Sequence, residues 1–285
     1  MNIEQTSSIR FGQENKGIVL DDAYDIYKRN RYVDFVNKNQ IVYIQSRDVD
    51  MRLLSNFHHI KYLTVPEEAE FLESLACLRE LRGLEITAQC LLKVNLDWFP
   101  QLDCIVIHGQ PHERIQCNTI NSLYCIQWTM KDLSCLSDLR ELKFLCLDFC
   151  SRLETLQGIE HLSELQELNL DYCLHLKDID CIAGLSDSLK KLVITDCNAI
   201  KDFNGLKNLG DLETLYLTRF QTQGTGKIAS LKFLDYMSNL KYFMTNYRIN
   251  DNDLQPLLRL KDATILKYFS GYNVAEHNLP HGDNI

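Results

Sequence analysis

Three groups of side chains in this sequence are of types that do chemistry. The first is the cysteines, eleven in a chain of 285 residues. An odd count in a chain this long argues against a disulfide scaffold, and with no CxxC pair the usual zinc spacing is missing. Reduced, buried thiols acting as small hydrophobes are the better reading. The second group is His108 and His112 in HGQPH. They are four apart, which on a helix would share a face, but Gly109 and Pro111 break a helix there. No carboxylate or thiol stands at a supporting distance. His58 and His59 precede an expected strand and read as surface or cap contacts. The third is Cys146 in FLCLD, which strand alternation points away from the core. Asp148 nearby disfavours its thiolate, so a nucleophile is not expected. No GxSxG, P-loop or GxGxxG is present, and Gly224-Thr225-Gly226 reads as a loop. The expectation from these residues is no enzyme, no metal and no cofactor.

A repeat positions these residues. Leu145, Leu168, Leu192 and Leu215 recur at intervals of 23, 24 and 23. Two residues after each come Leu147, Leu170, Ile194 and Leu217, and three further on Cys150, Cys173, Cys197 and Phe220. Another three on, the first three copies carry Leu153, Leu176 and Ile200. Weaker copies extend upstream through Leu123, Ile105, Leu84, Leu63 and Val42, the last four spaced by 21. Downstream, Leu240-Phe243-Thr245 follows a step of 28, and Leu266-Tyr268 comes 23 later. Such a period is the pattern of a leucine-rich repeat, LxxLxLxx(N/C). Each LxL is a short strand with two residues in the core, the Asn or Cys turns the chain inward, and stacked turns bury one core.

LQGIEHLSELQELNLDYC, residues 156–173, resembles leucine-rich repeats of the bacterial internalin and phosphatase-regulator type. The Cys-x-x-Leu ending is also similar to repeats of plant resistance receptors and F-box adaptors. The resemblance implies an α/β leucine-rich repeat solenoid, with a concave parallel β-sheet and short helical or irregular convex segments. We expect an N-terminal cap over 1–40, ten to eleven repeats over 41–270 and a polar tail over 271–285. Strands are predicted near 43, 64, 85, 106, 124, 146, 169, 193, 216 and 244.

Composition is that of an ordinary globular protein, 45% hydrophobic and 24% charged. The N-terminus lacks the pattern of a secretory signal and no apolar run is long enough to span a membrane, so a cytoplasmic location is expected. With no chemistry in view, function falls to a surface. Flanking positions of the strands face the concave side and put Tyr124, Phe144, Asp148, Glu167, Asp171, Tyr216 and Tyr242 there. The next exposed column adds Phe149, Tyr172, Arg219 and Tyr247, with Asp196 between them. Tyrosines among carboxylates suit the anchors and rim of a protein interface. Residues 131–220 hold ten Lys or Arg against sixteen Asp or Glu, most of the chain's net charge of −9. That balance favours a basic protein partner over nucleic acid or membrane. The expected function is a non-enzymatic binding module, monomeric when unbound. Its most concrete form is a cytosolic inhibitor or immunity protein that occludes a basic toxin; the alternative is a regulatory or adaptor subunit of an intracellular enzyme.

Overall fold

Alternation decides where each side chain of a short strand goes. In ELNLD, Leu168 and Leu170 point one way and are fully buried, while Glu167, Asn169 and Asp171 point the other way and are half-buried. This arrangement recurs through the computed structural model, which describes residues 5–7, 16–20, 43–47, 50–57, 59–111, 114–117, 119–219, 227–260 and 264–266. The chain divides into two compact units, residues 1–124 and 125–285.

In the first unit, β1 (Gln5–Ser7) lies antiparallel to β2 (Lys16–Leu20). Then β2, β3 (Tyr43–Ser46), β4 (Tyr62–Thr64), β5 (Gly83–Thr87) and β6 (Cys104–His108) follow as parallel neighbours. The unit boundary falls inside β7 (Ser122–Ile126). Register sets Ile44, Leu63, Leu84 and Ile105 opposite one another, each fully buried. Ile44 therefore takes the place expected for Val42, which lies outside the described residues. A shift of two residues keeps the same face inward, so alternation alone does not choose between them.

The return legs of this unit are 3-10 turns at Met51–Asn56, Leu72–Cys77 and Leu96–Trp98, with one short helix, α1 (Ala88–Leu91). Leu75, Leu78 and Leu81 line one leg with no exposed surface. Bonds from Leu78 N to Leu75 O at 2.9 Å and from Leu81 N to Leu78 O at 3.1 Å give that leg a three-residue period. Asp50 and Thr87 cap two of these elements, accepting from Arg52 N at 2.9 Å and Cys90 N at 3.3 Å.

In the second unit, β8 (Phe144–Asp148), β9 (Glu167–Asp171), β10 (Lys191–Thr195) and β11 (Thr214–Thr218) are parallel neighbours. After β12 (Lys227–Ile228) the sheet resumes with β13 (Tyr242–Thr245) and, past β14 (Arg248–Ile249), with β15 (Thr264–Leu266). The repeat read in the sequence is this register: Leu145, Leu168, Leu192, Leu215 and Phe243 stand opposite one another. Every predicted strand centre lies within a strand.

Two expectations change at the C-terminal side. Ile265, not Leu266, pairs with Phe243, because the backbone register selects one of two adjacent apolar residues. The extra residues of the 28-residue step are not all loop, since Lys227–Ile228 pair with Arg248–Ile249 in a separate parallel ribbon. Gly224-Thr225-Gly226 lie outside the described residues. Return legs here are again 3-10 turns, apart from α2 (Gln255–Arg259).

Candidate interaction face

The outward side chains of the second unit's strands fall into columns because the strands are parallel and in register. The first column runs Phe144, Glu167, Lys191, Thr214 and Tyr242. Within it, Lys191 Nζ lies 2.7 Å from Glu167 Oε1, so Glu167 is ion-paired within the face. Tyr242 is 44% exposed. The second column runs Cys146, Asn169, Val193, Tyr216 and Met244. Cys146 points outward as alternation requires, yet its neighbours bury it.

Asp148 and Asp171 open the third column, followed by Thr195 and Thr218, whose hydroxyls hydrogen-bond at 3.2 Å. Burial raises the Asp171 carboxyl above its usual range, and Asp148 and Asp196 push the same way against a bond from Thr195. Among the described residues Asp171 pairs with no basic side chain.

Just past the strands, Phe149, Tyr172 and Asp196 take positive φ values of 53°, 53° and 52°. Their backbone N–H groups extend the ladder by one rung, to Asp171 O, Thr195 O and Thr218 O at 3.0, 2.9 and 3.0 Å. The left-handed residue reverses the chain so that the next one, Cys150, Cys173 or Cys197, enters the core. All three thiols are free and at most 2% exposed. Each lies within hydrogen-bonding distance of a carbonyl on the preceding strand: Cys150 Sγ at 3.7 Å from Cys125 O, Cys173 Sγ at 3.6 Å from Leu147 O, Cys197 Sγ at 3.4 Å from Leu170 O. This is the turn column expected from the spacing. The leucine rows in register, closed by this inward turn of thiols, decide the fold. It is a leucine-rich repeat.

Of the residues nominated from the repeat, Phe144, Asp148, Phe149, Glu167, Asp171 and Tyr172 gather on β8, β9 and the turns after them. Phe149 is 51% exposed, and its ring stacks on Tyr172 with centroids 4.6 Å apart. Tyr216 and Tyr242 lie on β11 and β13. Tyr124 belongs to the first unit and is half-buried. Arg219 is half-buried at the edge.

Tyr247 is a correction. It is buried, packing on Phe203 at 6.5 Å with the Arg219 guanidinium 5.8 Å from its ring. The cause is Asn246, whose amide brackets Arg219, donating to its O at 2.7 Å and accepting from its N at 2.9 Å. That clamp turns the following residue inward. Asp196, expected in the same exposed column, has no exposed surface either. Val193 went unmarked in the sequence; the alternation of KLVIT is the signal that would have placed it on the face.

The first unit's face differs. Tyr43 and Tyr62, at the corresponding positions of β3 and β4, are only 4% and 9% exposed. Tyr43 Oη lies 3.2 Å from Thr64 Oγ1, which reaches Glu85 at 3.1 Å, and Glu85 meets His108 Nε2 at 2.7 Å. His108 is thus tied to a carboxylate; His112 and His58 lie outside the described residues. No cluster of three or more His, Cys, Asp or Glu poised for a metal occurs among the described residues. Burial, then Asp103 and Glu85, push the Cys104 thiol up to about 12, against a reactive thiolate. Among the described residues no helix is long and apolar enough to cross a membrane.

No protein-family model matches this repeat chain, and no curated protein does. Solved structures are similar to it at low identity. An internalin (inlF) from Listeria monocytogenes is 18% identical over 78% of this chain and 71% of its own, with a TM-score of 0.44. Internalin C2 from the same organism is 22% identical over 75% and 83%, also at 0.44. The leucine-rich repeat domain of the type III effector XopL is 15% identical over 84% and 81%, at 0.43.

Proposed function

We propose that this chain is a protein-binding module that works through the outward face of β8 to β13, and most concretely an inhibitor that occludes a basic protein such as a toxin. The observation that carries this reading is Asp171. Its carboxyl is partly desolvated, faces other carboxylates and, among the described residues, pairs with no basic side chain, whereas Glu213, for example, is paired with Lys241 at 2.7 Å. A cation supplied by a partner would relieve that repulsion, and the exposed Phe149 beside it and the exposed Tyr242, three strands away, offer apolar anchors. Eleven free cysteines suit a reducing compartment such as the cytosol. Binding by occlusion needs no catalytic group.

The test is capture from the native host, with the wild type and the Asp148→Lys/Asp171→Lys variant as baits, followed by identification of what is held. A basic protein held by the wild type and released by the variant, more weakly held at high salt, is the expected result. If the captured protein is an enzyme that stays active in the complex, the regulatory-subunit reading replaces inhibition. Equal capture by both baits would remove this face from the function.

A further inference from the structure

The face is chemically divided along the strand order. At the β8–β9 end stand Asp148 and Asp171, adjacent in register and flanked by the exposed Phe149 stacked on Tyr172, and among the described residues Asp171 pairs with no basic side chain. At the β11–β13 end, Tyr216 and Met244 are opposite one another, Val193 precedes them in the same column, and Tyr242 is 44% exposed beside them. No carboxylate occupies an outward position on β11 or β13, and Glu213, just before β11, is paired with Lys241. Between the two ends, Glu167 and Lys191 neutralise one another and Thr195 and Thr218 satisfy one another.

We infer that the occupant of this face is a single partner segment lying across the strands, with a basic side chain at the β8–β9 end and an apolar one at the β11–β13 end. This rests on the binding role proposed above and specifies its partner. Charge complementarity fixes the basic end, because an apolar group there would leave Asp171 desolvated and still uncompensated. The apolar end follows from the exposed Tyr242 and the Val193, Tyr216 and Met244 column, which gain by leaving water and offer no counter-charge to a cation. Neighbouring strands are about 4.8 Å apart, so the ends are separated by roughly 15 Å, three strand spacings. A helix covers that distance in about ten residues. The closest same-face spacing is about eleven residues, roughly 16 Å. The paired middle of the face asks only for small or uncharged groups.

The probes are two synthetic alanine-based helical peptides of identical composition, each with one arginine and one leucine on the same face. In the first the two lie about eleven residues apart; in the second about four, roughly 6 Å. Amide and methyl chemical shifts of the full chain follow the titrations. The wide peptide should shift Asp171 and Met244 together and bind about tenfold or more tighter than the narrow one, as expected when two contacts are made at once. Asp171→Asn should abolish that advantage. If both peptides bind the face equally, the divided-face inference falls while the binding role stands. If neither shifts any residue of β8 to β13, the binding role falls with it.

Discussion

The rings of Phe149 and Tyr172 lie parallel, within 1°, and 4.6 Å apart, on two residues that both hold the left-handed backbone conformation. The two effects oppose one another. A left-handed non-glycine residue costs roughly 1–2 kcal/mol, and an aromatic pair contributes about 0.5–1.5 kcal/mol beyond its area. Stability alone therefore gives little reason to keep aromatics at these turns.

That balance is measurable. Tyr172→Gly loses the stack but relieves the backbone, and should unfold in urea within about 1 kcal/mol of the wild type. Tyr172→Ala loses the stack and keeps the strain, and should be about 1 kcal/mol less stable than the glycine variant. The reverse order would mean that the backbone strain is not what the φ values imply.

The thiol column predicts alkaline weakness. Burial pushes the Cys125 thiol well above its ordinary 9.0; Cys150 and Cys173 are raised too, Cys150 first by its bond with Cys173. Once unfolded, all three ionise near 9, so the unfolded state holds fewer protons than the folded state above that pH. Stability is then full below pH 9 and falls as pH rises, by up to about 1.4 kcal/mol per pH unit for each thiol. Denaturation midpoints measured between pH 8 and about 10.5 should show this fall, and Cys173→Ala should make it shallower. A thiol reagent should leave Cys150, Cys173 and Cys197 unmodified in the native protein.

Asp171→Asn should separate stability from binding. The carboxyl is raised in the fold, so its charged form is disfavoured there and stability declines as pH climbs through the carboxylate range. Removing the charge should hold or raise the melting temperature at neutral pH while weakening the partner complex. A clear loss of stability would show that Asp171 is a structural residue.

On the return legs the close approach is steric. A Cβ on Gly158, at φ +101°, would lie 2.6 Å from Leu133 C and Ser134 N, both backbone atoms that cannot move aside. Gly158→Ala should cost about 2–4 kcal/mol. Leu170→Ala, which opens a cavity in the core, should cost about 2–5 kcal/mol, and both are read by chemical denaturation. A Gly158→Ala midpoint equal to the wild type would contradict the packing between these coils.

The central coils were legible in the sequence because their physics is periodic. A parallel strand must bury two alternate residues and then turn inward, and LxLxxC states that requirement in the residues themselves, at Leu168, Leu170 and Cys173. The same periodicity placed Phe144, Asp148 and Asp171 on the outward face. The tertiary structure decided what periodicity does not encode. Whether Glu167 is a free acid depends on Lys191, one repeat away, reaching 2.7 Å across a strand. Whether Tyr247 is exposed depends on Asn246 clamping Arg219, 27 residues earlier in the chain. Which of Ile265 and Leu266 stands opposite Phe243 depends on a register that two adjacent apolar residues leave open. Alternation is a property of one strand and can be read from a few residues; charge pairing, side-chain clamps and register are properties of two, and exist only once the strands are side by side.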